Sequence, residues 1–234
     1  MRGSCLIKNN LSNIFKKLRW LVSGCLIFLF VQSCQRSDAN NLQIIKINKQ
    51  ETIKRTKAIS SVKSIEPLIK NGDLITRTGN DFTSETLRSL NRRNKKYSHC
   101  GIAIIENDSV FVYHALGGDF NPNQKLLRQS LIEFADPASN RGIGLFSFNF
   151  NANLQTKIRE IVQNHFVAGL PFDMEFNLET NDKMYCAEFV AKSYIDATDN
   201  NLNFNKSKIE NFSFYGVDDI FLNPTCHLIK ELIY

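Results

Sequence analysis

One cysteine and two histidines in this chain have the residue types and the spacing for nucleophilic catalysis. Cys186 lies in the segment of residues 184–190, and His99 and His114 lie well upstream of it. The thiolate is the reactive form of cysteine, and an imidazole can accept the thiol proton. These residues therefore predict attack of a thiol on a carbonyl group, with one histidine as the base and the other orienting it.

The residues around Cys186 predict a helix that begins close to it. Thr180, Asn181 and Asp182 are good N-cap types, and the apolar residues after Cys186 follow the period of a helix. A helix N-terminus has unpaired N–H groups that lower the pKa of a nearby thiol. The alternative interpretation is that Cys186 is a small buried hydrophobe, as most lone cysteines are.

A short turn, together with the alternation of side chains between the two faces of a strand, is predicted to bring the two histidines together. Two β-rich runs flank Asn107-Asp108, which predicts a hairpin with these two residues as its turn. In that register Gly101 faces His114, and His99 becomes the diagonal neighbour of His114 on the same face of the sheet. A three-residue loop would instead turn His114 to the opposite face.

The first 34 residues have the features of an export signal. Five basic residues are followed by an apolar run over residues 20–31, which is too short to span a membrane. The run ends in the letters VQSC at Cys34, which resemble the lipobox of bacterial lipoproteins. We therefore expect a signal peptide over residues 1–33, a lipid on Cys34, and a protein anchored to a membrane of the bacterial cell envelope.

Charge gives no reason to expect a nucleic-acid partner. Residues 1–34 hold five basic and no acidic residues, so the net charge of +6 falls to +1 without them. The basic run over residues 92–96 is interpreted as a solvated loop, with an anion-facing patch as the alternative.

An exported protein enters a compartment in which disulfides can form. Of the remaining cysteines, Cys100 is predicted to pack in the core, and a Cys100–Cys226 bridge stays open beside a free Cys186.

The rest of the chain predicts one domain of α+β class. Residues 35–64 are rich in polar types, which predicts that residues 34–64 are the lipidated cysteine and a flexible tether. Residues 65–234 are then the domain. Strand patterns alternate with helical ones, which favours hairpins packed against helices: strands near residues 72–77, 97–105, 109–116 and 144–150, and helices near 84–90, 130–134 and 154–166.

Other possible sites that involve histidine have weaker support in the sequence. A metal site built from His99, His114 and Cys186 is conceivable, because zinc takes such ligands. The close ligand pairs of zinc signatures are missing from the sequence, so we expect no metal. The predicted nucleophile and base are both side chains, so we also expect no cofactor. His165 follows apolar residues on a helix face and is interpreted as a packed histidine. His227 near the end of the chain is interpreted as a surface residue.

Five short motifs, taken in order, resemble a known enzyme family. They are GDLI at 72–75, YSHCGI at 97–102, VYHA at 112–115, LPFD at 170–173 and YCAEFV at 185–190. Together they are similar to the YiiX-like permuted papain-like amidases, relatives of the NlpC-type cell-wall peptidases. The resemblance covers most of the predicted domain. It implies a circularly permuted papain-like (NlpC-type) fold, with an antiparallel sheet packed against a cysteine-bearing helix.

The resemblance also implies roles for individual residues. Cys186 matches the nucleophile, His99 the general base and His114 the third polar residue, while Tyr185 and Asp73 match positions that shape the site. The implied activity is a thiol amidase that works through a thioester on cell-envelope amides such as peptidoglycan peptides.

Two alternatives to the amidase stay open. The Cys/His/His set equally resembles the lecithin retinol acyltransferase group, which would make the enzyme lipid-directed. A binding module without catalysis is the third class. The expected partners are therefore a cell-wall peptide or a lipid, and a membrane through the lipid anchor. The sequence does not decide the oligomeric state.

Overall fold

The computed structural model describes residue 46 and residues 48–234. Residues 54–234 form one compact unit. Of residues 1–53, which group separately, those described are helical. The predicted signal peptide and Cys34 lie outside the described residues.

The described residues form six α-helices, a short 3-10 helix at Glu66–Leu68 and eight strands in a mixed order. The helices are α1 over residues 48–65, α2 Phe82–Leu90, α3 Leu131–Phe134, α4 Ala152–Ala168, α5 Cys186–Ala197 and α6 Val217–Phe221. The strands are β1 Leu74–Gly79, β2 His99–Glu106, β3 Ser109–His114, β4 Leu127–Ser130, β5 Asn140–Ser147, β6 Ser207–Ile209, β7 Phe212–Phe214 and β8 His227–Ile233.

A six-stranded antiparallel sheet with the order β4-β3-β2-β1-β5-β8 is the centre of the fold. Side chains alternate between its faces. Cys100 and Ile102 of β2 belong to a core cluster with α4 and α5, whereas Ala103 belongs to a second cluster with α1 and α3. The predicted α+β class, with an antiparallel sheet packed against the cysteine-bearing helix, is confirmed.

The predicted hairpin between β2 and β3 is confirmed in type and register. Glu106 pairs with Ser109, and Ile102 pairs with Tyr113. Asn107 and Asp108 have positive φ angles of 47° and 60°, as a type I′ turn requires. The alternative of a three-residue loop is thereby excluded.

The prediction of a flexible tether through residue 64 is wrong for its described part. Residues 48–65 are helical, and Ala58, Val62 and Ile65 are buried, the latter two in the cluster beneath the sheet. Their spacing of four and three residues is that of one helix face. The polar composition of the segment concealed this stripe. The folded unit therefore begins near residue 54 and not at residue 65.

Sequence patterns missed the outer strands of the sheet. The edge strand β8 has mostly exposed side chains, and β4 is only four residues long, so neither has a buried alternating pattern. Strand β5 begins at Asn140, earlier than the predicted residue 144. None of the helices among the described residues is both long enough and apolar enough to cross a membrane.

The burial of α1 predicts a specific loss of stability. Ile65 is 1% exposed, so Ile65→Ala leaves a cavity and should lower the free energy of unfolding by about 2–5 kcal/mol. Urea denaturation followed by circular dichroism measures this. The matched control is Ile53→Ala on the same helix, because Ile53 is 58% exposed and should change the stability by no more than about 0.5 kcal/mol. Equal effects of the two substitutions would contradict the docking of α1.

Candidate active site

Helix α5 begins at Cys186, so the thiol lies in its first turn as predicted. The N-cap residue is Tyr185, in extended conformation, and not one of the predicted residues 180–182. The side chain of Glu188 accepts a hydrogen bond from the Tyr185 N–H at 3.3 Å and forms an ion pair with Lys192 at 2.8 Å. The sequence analysis did not single out Glu188. Burial raises its pKa to about 7 despite Lys192.

The thiol of Cys186 hydrogen-bonds the thiol of Cys100, its neighbour across the α5–β2 contact. This hydrogen bond, together with backbone N–H groups of Cys100 and Ala187 and the charge of Arg77, holds the pKa of Cys186 below its ordinary value, although burial opposes the shift. Cys100 packs in the core as predicted, but its contact with Cys186 was not predicted. Burial and Cys186 raise the pKa of Cys100.

The two histidines form one hydrogen-bonded chain with Gln129. His99 Nε2 lies 2.8 Å from His114 Nδ1, and His114 Nε2 lies 2.9 Å from the side-chain oxygen of Gln129. The oxygen only accepts, so His114 Nε2 carries a proton and its Nδ1 must accept from His99 Nε2. The free nitrogen of His99 is then Nδ1, which is unprotonated in the neutral ring.

Both histidines are buried and neutral near pH 7. Their side chains are packed against the ring of Phe134, with centroid distances of 5.8 Å for His99 and 5.0 Å for His114. Burial and the charge of Arg77 lower the pKa of His99 well below its ordinary value and that of His114 to about 3. The expected proximity of the two rings is confirmed, and their catalytic roles stay a prediction.

Cys186 and the histidine pair have different hydrogen-bond partners, and Arg77 is the charged group that acts on all three residues. It pairs with His99 in the β1–β2 register, donates to the Phe134 carbonyl at 3.0 Å, and lies over the Phe134 ring. Its charge acts on Cys186, His99 and His114. The sequence analysis noted Arg77 only as the end of a strand. The available signal was an arginine within an otherwise uncharged strand pattern.

Tyr185 and Asp73 have different surroundings. The Tyr185 hydroxyl accepts a hydrogen bond from the Tyr215 N–H at 2.7 Å, and its ring packs against Phe176. Asp73 accepts a hydrogen bond from the Lys70 N–H at 2.8 Å and also hydrogen-bonds Ser147. Tyr185 therefore lies beside the nucleophile candidate, whereas the contacts of Asp73 stabilise the turn before β1.

A narrow cleft opens beside Cys186. It has a volume of only about 40 Å³, and its lining is mostly apolar and aromatic. The residues that line it include Leu87, Leu90, Phe176, Tyr185, Phe214 and Val217. A group bound there would contact mainly apolar side chains and few charged ones, and it would lie against the Cys186 thiol.

The remaining candidates lie apart from these groups. The rings of His165 and Phe189 lie 6.1 Å apart, and His227 is exposed on β8. In the basic run, Arg93 forms an ion pair with Asp219 at 3.2 Å, and Lys96 forms one with Glu231. Within the part of the chain that the structure describes, no three His, Cys, Asp or Glu side chains form a group that could hold a metal ion.

Comparison with known proteins identified a family and a solved structure of similar fold. The family model described as permuted papain-like amidase enzyme, YaeF/YiiX, C92 family, matches residues 68–213. A similar solved structure is the crystal structure of metalloprotein yiiX from Escherichia coli O157:H7. It is 17% identical, with a TM-score of 0.58, over 70% of this chain and 98% of that chain. At this identity the likeness shows the fold alone. No curated protein matches significantly.

The shifted pKa values predict which thiol reacts first. At pH 7, iodoacetamide should modify Cys186 before Cys226, because burial raises the pKa of Cys226 to about 12 whereas the pKa of Cys186 is lowered. Cys226 is the more exposed of the two, so accessibility alone gives the opposite order. Peptide mass spectrometry at several times and pH values measures both rates. In urea the two rates should become similar; faster modification of Cys226 in the folded chain would refute the lowered pKa.

Proposed function

The chain belongs to the C92 family of permuted papain-like amidases, a family of cysteine hydrolases, and from this premise we propose that Cys186 is its nucleophile and His99 its general base. The observation that carries the proposal is the thiol of Cys186 in the first turn of α5, with a lowered pKa, next to the strand that begins at His99. His114 is proposed as the positioning residue.

The hydrogen-bonded chain supports His99 as the base. With Gln129 fixing the proton on His114 Nε2, His99 must donate through Nε2 and keeps a lone pair on Nδ1. That nitrogen is the atom that would take the thiol proton. A base must be unprotonated to take this proton, and the lowered pKa of His99 leaves it unprotonated at neutral pH.

The reaction then follows the usual order for a thiol amidase. His99 Nδ1 takes the proton as Cys186 Sγ attacks the amide carbonyl, and N–H groups at the start of α5 stabilise the oxyanion. His99 next gives the proton to the leaving amine, which departs and leaves a thioester on Cys186. Water attacks the thioester while His99 accepts its proton, and the thiol and a carboxylic acid are released.

The substrate that we propose is an amide of the cell envelope, such as a peptidoglycan peptide. The support is the amidase family together with the export features of residues 1–34. The second candidate is an acyl amide of a lipid, as in the lecithin retinol acyltransferase group. The apolar lining of the cleft beside Cys186 favours this alternative, because a polar muropeptide would gain little from it.

The proposed location depends on a lipid at Cys34. Mass spectrometry of the full chain expressed in a bacterium should find an acylated N-terminal peptide beginning at Cys34. Cys34→Ser should abolish the modification, and the protein should leave the membrane fraction. The control is Cys25→Ser, which should be acylated like the unchanged chain. Acylation at Cys25, or none at either cysteine, would contradict the proposal.

The proposed chemistry is tested by turnover of two substrate sets, muropeptides and long-chain N-acyl amides, with mass spectrometry of the products. The full chain is used because α1 packs in the core. Cys186→Ala should abolish all product, and His99→Ala should lower the rate by about 10²–10⁴-fold. Products from only one set would identify the substrate class.

Matched controls come from the same residue types outside the site. Cys226→Ala and His227→Ala should retain the activity of the unchanged chain, because neither residue lies among the groups around Cys186. Full turnover by Cys186→Ala would refute the nucleophile. Equal losses in His99→Ala and His227→Ala would refute the base.

A further inference from the structure

We propose that Cys100 and Cys186 form a covalent modification site, at which a peroxide converts the two neighbouring thiols into a reversible Cys100–Cys186 disulfide. This site goes beyond the amidase reaction, since it needs only the contact between the two sulfur atoms. It does not depend on Cys186 being the nucleophile of hydrolysis.

The contact is built into the core of the fold. Cys100 is fully buried near the start of β2, directly after His99, and its thiol hydrogen-bonds Cys186 at the start of α5. The Cys100 N–H also donates to the Cys186 sulfur, which fixes the first turn of α5 against the strand. Disulfide formation requires the two sulfurs to move from this contact to a bond of about 2.05 Å.

The two thiols are suited to different steps. The side of Cys186 that lines the cleft is the side from which a small oxidant could reach its sulfur. Cys100 has no exposed surface, so an oxidant in solution would meet Cys186 first. The lowered pKa of Cys186 supplies the thiolate that reacts with peroxide, while the raised pKa of Cys100 keeps its proton until it is needed.

The chemistry balances with hydrogen peroxide as the oxidant. The Cys186 thiolate attacks one peroxide oxygen, the O–O bond breaks, and a sulfenic acid and hydroxide are formed. The sulfur of Cys100 then attacks that of Cys186 as its proton is transferred to the departing hydroxyl, which leaves as water. The two sulfurs have lost two electrons to the peroxide. A dithiol reductant returns both electrons and restores the two thiols.

The described chain offers one further free thiol for comparison. Cys226 is free, and burial raises its pKa to about 12. It therefore has little thiolate at neutral pH, and it does not hydrogen-bond Cys186, whose side-chain hydrogen bond goes to Cys100. We expect Cys226 to remain a thiol under peroxide that converts the other two.

The experiment treats the full chain with hydrogen peroxide, blocks free thiols with N-ethylmaleimide and maps the peptides by mass spectrometry. We expect a Cys100–Cys186 cross-linked peptide, two hydrogen masses lighter than the separate peptides, which dithiothreitol removes. Cys226 should carry the maleimide. A wild-type chain in which Cys186 passes to the sulfinic acid without this cross-link would overturn the proposal.

Variants test whether Cys100 is the thiol that reacts with oxidised Cys186, as distinct from a general sensitivity of the protein to peroxide. In Cys100→Ala, Cys186 should accumulate as a sulfenic acid that dimedone traps and then as a sulfinic acid that dithiothreitol does not reverse. Cys226→Ala should behave as the unchanged chain. A Cys100→Ala chain that is restored by dithiothreitol as fully as the unchanged chain would refute the role of Cys100. If Cys100→Ala does not fold, Cys100→Val provides the same test, and the cross-link in the unchanged chain stands by itself. Because every readout is a mass, the outcome is independent of any hydrolytic activity.

Discussion

The antiparallel pairing of β2 with β1 and β3 is the constraint on which the site depends. It sets Arg77 opposite His99 and Thr76 opposite Cys100. Gly101 makes the close approach to β3 possible, since an added Cβ would lie 2.6 Å from the Tyr113 carbonyl oxygen. Side chains alternate between faces along a strand, so a slip of one residue would exchange His99 and Cys100 between the two sides of the sheet. The thiol contact and the histidine chain would both be lost.

The half-buried positive charge of Arg77 sets the electrostatics of this region. The Arg77 guanidinium lies between a carbonyl and the Phe134 ring, and it is partly removed from solvent. Such a charge disfavours further positive charge nearby, so His99 and His114 are neutral, and it favours a thiolate at Cys186. Negative charge that develops on the Cys186 sulfur is therefore stabilised by the arginine and by hydrogen bonds.

Local patterns allowed much of this fold to be predicted from the sequence, but not its long-range contacts. The β2–β3 hairpin was predictable because Asn107 and Asp108 specify its turn, and α5 because its apolar period is strong. Helix α1 was missed because three apolar positions are sparse among polar residues. Gln129 was missed because β4 pairs with β3 across a loop, and the contact of Cys100 with Cys186 because the two are far apart in sequence. None of these pairings has a local signal.

The apolar cleft beside Cys186 has a consequence for any acyl group carried on its sulfur. A lining rich in Leu, Phe, Tyr and Val side chains would offer a water molecule beside a thioester few hydrogen-bond partners, so water would be a poorly positioned nucleophile there. The lifetime of such an intermediate would then depend on which molecule enters the cleft next. An amine or alcohol with an apolar body would enter more readily than its concentration suggests. The shape and polarity of this one surface would therefore set the partition between release of an acid and transfer of the acyl group to a new acceptor.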